Sequence, residues 1–474
     1  MTDFAKSLEK YIYRSTLTES QLAKISGFNR SYIALIKNGQ RVPADMEKVR
    51  RLITALNLSP YEYDTLWKEY LKARYGEENF ELQSQIVNFI EGFEHQPRIS
   101  IMSNYQHEIP DIKSVNNRMD LDYMVKAVVE NEALRENGKL RLIVQSDFEF
   151  LFNLLPCVYR NSSRLTIEHI VCLEGGMAEN KGLLYNLKFF GKMIPIILSE
   201  KESRYHIDYY YDKVTSHFAS SVLMPYVVIS SDCVINISVD LNHALISKDV
   251  DVIGLYNLLF DLRKRECRPM LHSIGENDEY LELCQEKPKE PVEAVYSIGS
   301  QPCFGLLDIE SMIFKYINRD RIEAAYQFQK LIQENKRFVS DEKMSIISYF
   351  SKVGLKSLME DGIVKEVPRE LYTALEVEDR KKLIEMLIEA IEAGWYTAFL
   401  LDDNCISYPE NLIITAKEMT SVNIFYLPEN NESRFALQEQ SLSKMIYDFL
   451  VDFGKSTYVL SKEETLKYLK KIIR

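Results

Sequence analysis

The chain has 474 residues, 46% of them hydrophobic and 27% charged, with a net charge of −12. These values exclude wholesale disorder and, at about 150 residues per domain, predict roughly three domains. No run approaches the ~18 uninterrupted apolar residues of a membrane span, and the start MTDFAKSLEK lacks a signal peptide's basic and apolar regions, so a cytoplasmic protein without a membrane partner is expected.

Charge is unevenly placed. Residues 1–60 hold ten basic and five acidic side chains, so the other 414 residues carry −17. A basic head on an acidic body suits a local phosphate contact, because screening over ~10 Å hides the distant charge; a chance cluster is the plainer alternative. The head reads as helices throughout. Phe4, Leu8, Tyr11 and Ile12 recur at helical spacing, as do Met46, Val49, Leu52, Ile53 and Leu56. Between them, Thr18 and Gln21 form a capping box that starts a helix ending near Gly27. Asn29 is a natural N-cap for the next helix, Ile33 and Ile36 face inward, and Asn38-Gly39 supplies a left-handed stop. Ser59, Pro60 and Glu62 open a further helix that runs to Gly76.

Two short helices joined by a tight turn, with small Ala23 on the first, describe a helix-turn-helix. The stretch LTESQLAKISGFNRSYIALIKNGQRVP, followed by a helix and LNLSPYEYDTLWKEYL, resembles the helix-turn-helix domain of the phage-repressor (Cro/XRE) family of bacterial transcription regulators over about residues 3–76. The resemblance makes the helix opened by Asn29 the recognition helix. Arg30, Ser31 and Leu35 then occupy its groove-facing positions, with Arg30 able to present two parallel donors to guanine. Asn38, Gln40 and Arg41 fall where relatives contact phosphates. One position departs from the pattern: Glu19 stands where many relatives carry a phosphate-binding glutamine. Either Glu19 pairs with a basic neighbour such as Arg30, or that contact is lost.

Beyond the head, residues 77–119 mix a short helical segment with an irregular stretch holding Pro97 and Pro110 and read as a connector. A first α/β domain is expected over 120–275, with helices in DLDYMVKAVVENEALREN, FEFLFNLL, LLYNLKFFGKMI and DVIGLYNLLFDLRKREC. Strands are expected in KLRLIVQS, RLTIEHIVCL, YHIDYYY, PYVVISS, CVINISVD and HALISKD. Residues 276–305, polar and carrying Pro288, Pro291 and Pro302, read as a linker. A helical segment and a second α/β domain follow over 306–474. Its helices are predicted in IESMIFKYIN, RIEAAYQFQKLIQE, MSIISYF, VGLKSLMED, RKKLIEMLIEAIEAG and SLSKMIYDFLVDFG, and its strands in WYTAFLLDD, NLIITAKE, SVNIFYLP and SRFALQEQ. The fold class is thus multidomain: an all-α head and an α/β body, with two related halves joined by helices if the body is duplicated. The segments beginning PYVVISSDCVINISVD and ENLIITAKEMTSVNIF share three strands and a helix at nearly equal spacing. That points to an internal duplication, against the alternative of a chance match between mixed segments.

The body's layout resembles the long carboxy-terminal regions of larger helix-turn-helix regulators, and paired α/β halves also resemble phospholipase D-like folds. The chemistry of the latter needs His-x-Lys and a later Asp. His243 has Leu245 where the lysine belongs, Lys248-Asp249 lie at the wrong spacing, and the second half has no histidine. Other motifs also fall short. Gly454-Lys455-Ser456 resembles the end of a phosphate loop, but Phe449 replaces its glycine and a helix precedes it. Seven cysteines, none closer than Cys157 and Cys172, build neither a disulfide framework nor a CxxC knuckle, and neither His95/His107 nor His206/His217 has ligands at metal spacing. Asp402-Asp403 at a strand end could form a carboxylate site and Tyr209, Tyr210 and Tyr211 could line a ligand pocket, but solvated acids and strand or core tyrosines are the plainer reading. No catalytic residue, cofactor or metal is therefore expected. The reading is a sequence-specific regulator that binds double-stranded DNA as a homodimer, with a body that dimerises and senses a small-molecule or protein signal. The alternatives are an enzyme, or a partner-binding antitoxin or phage-defence module, carrying an autoregulatory DNA-binding head.

Overall fold

The computed structural model describes residues 2–94, 106–162, 164–175, 180–199, 204–214, 223–274, 294–304, 307, 315–318, 326, 345–367, 369, 372–419, 421–428 and 432–474. The chain forms two compact units, Met1–Ile86 and Val87–Arg474. The first holds α1 (Asp3–Arg14), α2 (Glu19–Ser26), α3 (Arg30–Lys37), α4 (Met46–Ala55), α5 (Pro60–Tyr75) and the start of α6 (Glu77–Glu91). Side-chain caps start five of them: Thr2, Thr18, Asn29, Asp45 and Ser59 each accept a backbone N–H from the first turn. Their apolar faces meet in one core built on Phe4, Leu8, Leu22, Ile33, Ile36, Val49, Leu52, Ile53, Leu66 and Tyr70.

Among its described residues the second unit carries two mixed sheets. In the first, β2 (Lys139–Ile143), β3 (Thr166–Glu174) and β4 (Tyr205–Asp212) run parallel. The meander β5 (Tyr226–Ile229), β6 (Val234–Ile237) and β7 (Ala244–Ser247) joins them antiparallel through the β2–β5 pair. The edges are β1 (Ile112–Val115) on β7 and β8 (Arg268–Pro269) on β4. In the second sheet β10 (Ala294–Gly299), β11 (Ser345–Phe350) and β12 (Tyr396–Leu400) are parallel. β13 (Leu412–Glu418), β14 (Ser421–Tyr426) and β15 (Ser433–Leu437) form an antiparallel meander joined through β10–β13. Strand for strand, β2 to β7 and β10 to β15 follow one order. The edge strand β9 (Leu271–Ser273) pairs with β15, so β8 and β9, one residue apart, belong to different sheets. Between them Met270 donates its N–H to Ile207 O on one side (2.8 Å) and accepts from the Gln438 N–H on the other (2.9 Å).

Among the described residues the helices of this unit are α7 (Arg118–Ala133), α8 (Glu149–Asn161), α9 (Asn180–Ile197), α10 (Val250–Lys264), α11 (Lys352–Asp361), α12 (Val377–Ala393), α13 (Gln440–Phe453) and α14 (Lys462–Ile472). Each half places one of them directly after its meander: α10 follows β7 and α13 follows β15.

Three stretches differ from the sequence reading. MSIISYF, expected as helix, is β11; its six residues lie hydrogen-bonded between β10 and β12, so pairing on both edges overrides a short apolar run that either structure fits. The expected linker 276–305 contains β10, the strand that joins the parallel and antiparallel parts of the second sheet, and Pro302 beside it is buried. Residues 276–293, with Pro288 and Pro291, lie outside the described residues, as do most of IESMIFKYIN and of RIEAAYQFQKLIQE. In the expected connector 77–119 the short helical segment is α6, as read, but the stretch after it also holds the strand β1, and Phe89 of α6 stacks on Phe190 of α9, ring centroids 5.4 Å apart.

Candidate nucleic-acid interface

Local chemistry sets the geometry of α2 and α3. The Gln21 N–H donates to Thr18 Oγ1 (3.3 Å) and the Thr18 N–H donates to Gln21 Oε1 (2.8 Å), closing the capping box at the start of α2. The helix ends on Gly27 at φ +78°, a left-handed turn that any Cβ would strain. Inside that turn the buried Ser26 hydroxyl donates to Leu22 O (2.7 Å). Asn29 Oδ1 then accepts the Tyr32 N–H (2.7 Å) and opens α3. After α3, Gly39 at φ +72° folds the chain back, so the Gln40 and Arg41 N–H groups both donate to Leu35 O (2.9 and 3.3 Å). Ile33 and Ile36 are fully buried, which fixes the roll of α3 and decides what it shows to solvent.

Asn29, Arg30, Ser31, Leu35, Asn38, Gln40 and Arg41 are all exposed. Arg30, Ser31 and Leu35 project from α3, Asn29 and Asn38 cap it, and Gln40 and Arg41 lie in the loop held against its end.

Glu19 is resolved by a partner that the sequence pattern did not name. Lys37 Nζ donates to Glu19 Oε1 at 2.8 Å, while Arg30 Nε stands 4.0 Å from Oε2. The Lys37 ammonium holds the Glu19 carboxyl below the usual carboxylate range. Lys37 lies seven residues after Arg30, two turns along the same side of α3, and that spacing is the signal that would have found it. With its charge met by Lys37, Glu19 leaves the Arg30 guanidinium largely in solvent.

The other residues singled out in the sequence have the following partners. Asp402 is buried and accepts the Asn404 N–H and side-chain amide, and Asp403 pairs with Lys352 at 3.2 Å. Gly454-Lys455-Ser456 follows α13, with Lys455 paired to Asp452. Tyr211 donates to Glu439, and the Tyr210 ring lies 3.8 Å under the Arg263 guanidinium. His243 is exposed beside Asp240, whereas His169, fully buried between Tyr205 OH and Val144 O, is pushed down to about 4 by that burial. Among the described residues no three His, Cys, Asp or Glu side chains gather as a metal site, and no helix is long and apolar enough to cross a membrane.

No family model and no curated protein matches the chain. Among solved structures it is similar to TrmBL2, an archaeal chromatin protein showing a novel mode of DNA binding, at 12% identity over 57% of this chain and 94% of that one, with a TM-score of 0.24. It is also similar to phosphatidylserine synthase of Haemophilus influenzae Rd KW20, at 9% identity over 82% of this chain and 97% of that one, again with a TM-score of 0.24. At scores this low neither likeness assigns a fold or a function.

Proposed function

We propose that the chain is a transcriptional regulator that binds double-stranded DNA sequence-specifically, in the cytoplasm and as a homodimer. Its head places α3 in the major groove, and its body dimerises and senses a signal without catalysing a reaction. The observation that carries this reading is the capped α2–turn–α3 pair, whose buried Ile33 and Ile36 leave Arg30, Ser31, Leu35 and the Asn38–Arg41 loop on one exposed face. Donors at the start of a groove-bound helix reach base edges, whereas donors in the following loop reach phosphates and set register.

Gel shifts on a selected operator and a scrambled duplex test it. Arg30→Ala should weaken operator binding by about 1–3 kcal/mol and relax specificity, while Arg41→Ala weakens both duplexes alike. Equal losses on both duplexes for Arg30→Ala would overturn the assignment. Relatives bind half-sites one helical turn apart, so the selected operator should be palindromic. Turnover of a substrate by residues beyond the head would favour an enzyme instead.

A further inference from the structure

Helix α10 is apolar on both sides. Its inner face is locked onto the first sheet: Phe260 is buried among Ile170, Val227, Ile229 and Val234, and Arg141 donates to Asn257 Oδ1 (3.0 Å) and pairs with Asp261 (2.8 Å). Its outer face carries Leu255, Leu258, Leu259 and Leu262, which remain 52%, 57%, 49% and 47% exposed. A helix that is apolar all round is normally covered all round. The corresponding helix of the other half obeys that rule, since α13 lies against α9 and exposes charged Lys444, Asp448 and Asp452.

The exposed strip of α10 has a definite order. Asp251, Leu255, Leu258, Leu262 and Arg265 follow one another at spacings of four, three, four and three, the repeat of a helix–helix seam. Gly254 beside this seam has open space around its Cβ position, so a second backbone can approach closely. The strip begins on an acid and ends on a base. Laid antiparallel on a copy of itself, it sets Asp251 against Arg265, Leu255 against Leu262 and Leu258 against its own symmetry mate. The two helix dipoles also oppose. The sequence of charges therefore selects a second copy of this chain in antiparallel array; a parallel copy would stack like charges.

We infer that α10 forms the two-fold interface through which two copies of this chain associate. This rests on the homodimer in the function proposed above and names its surface. An isologous contact of this kind closes with two chains and leaves no open end.

The test uses the full chain in sedimentation equilibrium over a range of concentrations. The wild type should dimerise, and Leu258→Asp, which sets two carboxylates face to face on the axis, should raise the dissociation constant at least tenfold. Leu258 is exposed, so the substitution should leave the unfolding midpoint of the monomer unchanged. Asp251→Arg and Arg265→Asp should each weaken association, and the doubly exchanged chain should recover it. A wild type that dimerises while Leu258→Asp and both charge variants dimerise equally well overturns this interface and leaves the homodimer standing. A wild type that stays monomeric at every concentration overturns both.

Discussion

Helices α10 and α13 hold the same place in the two halves of the body and meet different surroundings. Both follow the last strand of a meander, and both start on a carboxylate. Asp249 accepts from the Asp251 and Val252 N–H groups, and Glu439 accepts from those of Ser441 and Leu442. From there they diverge: Asp249 is exposed and Glu439 buried, and α10 shows leucines outward where α13 shows lysine and aspartate. Shared topology thus fixes how a helix starts and which face meets its own sheet. What covers the opposite face is set by neighbours that one half has and the other lacks.

Truncating matched positions gives the largest contrast. Phe449 of α13 is buried against Phe453, with ring centroids 4.6 Å apart, and Phe449→Ala should cost about 3–5 kcal/mol in urea unfolding. Leu259→Ala in α10, ten residues after the Asp249 cap as Phe449 is after Glu439 and 49% exposed, should cost about 1 kcal/mol or less where the chain is monomeric. Equal losses would break the contrast. Glycine replacement sharpens it at somewhat smaller size. A Cβ on Gly354 of α11 would lie 2.1 Å from Ser300 O, a backbone atom that cannot swing away, so Gly354→Ala should destabilise by about 3 kcal/mol. Gly254→Ala in α10 meets nothing within 4 Å and should stabilise the monomer by about 0.5–1 kcal/mol through helix propensity.

The smallest expected effect is one of pH. Burial opposes ionisation of Glu168 on β3, but hydrogen bonds from Lys139 and Lys264 overcome it and hold the carboxyl down at about 2. A depressed carboxyl pKa contributes stability that is complete above its ordinary value of 4.5 and fades as pH falls toward about 2. Glu168→Gln should therefore flatten the loss of stability over that window, with acid titrations followed by circular dichroism as the check. An unchanged acid limb would show that the cluster around Glu168 does not govern the first sheet.

Signals between residues a few positions apart are legible in the amino-acid order itself. The Thr18/Gln21 and Ser59/Glu62 boxes and the Asn29 cap each join residues three apart, which is why the head's helices are readable to within a residue or two. The strands β5 to β7 and β13 to β15, with the helix after each, are also readable, because hairpin partners follow one another closely. Pairing at long range is not. β10 and β11 are parallel neighbours whose paired residues lie about fifty positions apart, and nothing local in AVYSIG or SIISYF distinguishes a central strand from a linker or a short helix. At the candidate interface, the exposed positions of α3 follow from its apolar spacing. The Lys37–Glu19 pair, eighteen residues apart across the turn, depends on how two helices pack.

The segment around Met270 bears on the order in which the body is made. Every described strand of the first sheet ends by residue 269, so a nascent chain can complete those strands before β10 has left the ribosome. The second sheet takes its outer strand, β9, from residues 271–273, the earliest of its strands to be synthesised, and pairs it with β15, the latest. A finished half thus presents the unfinished one with a template already anchored through Met270, against which the last strand to emerge can align.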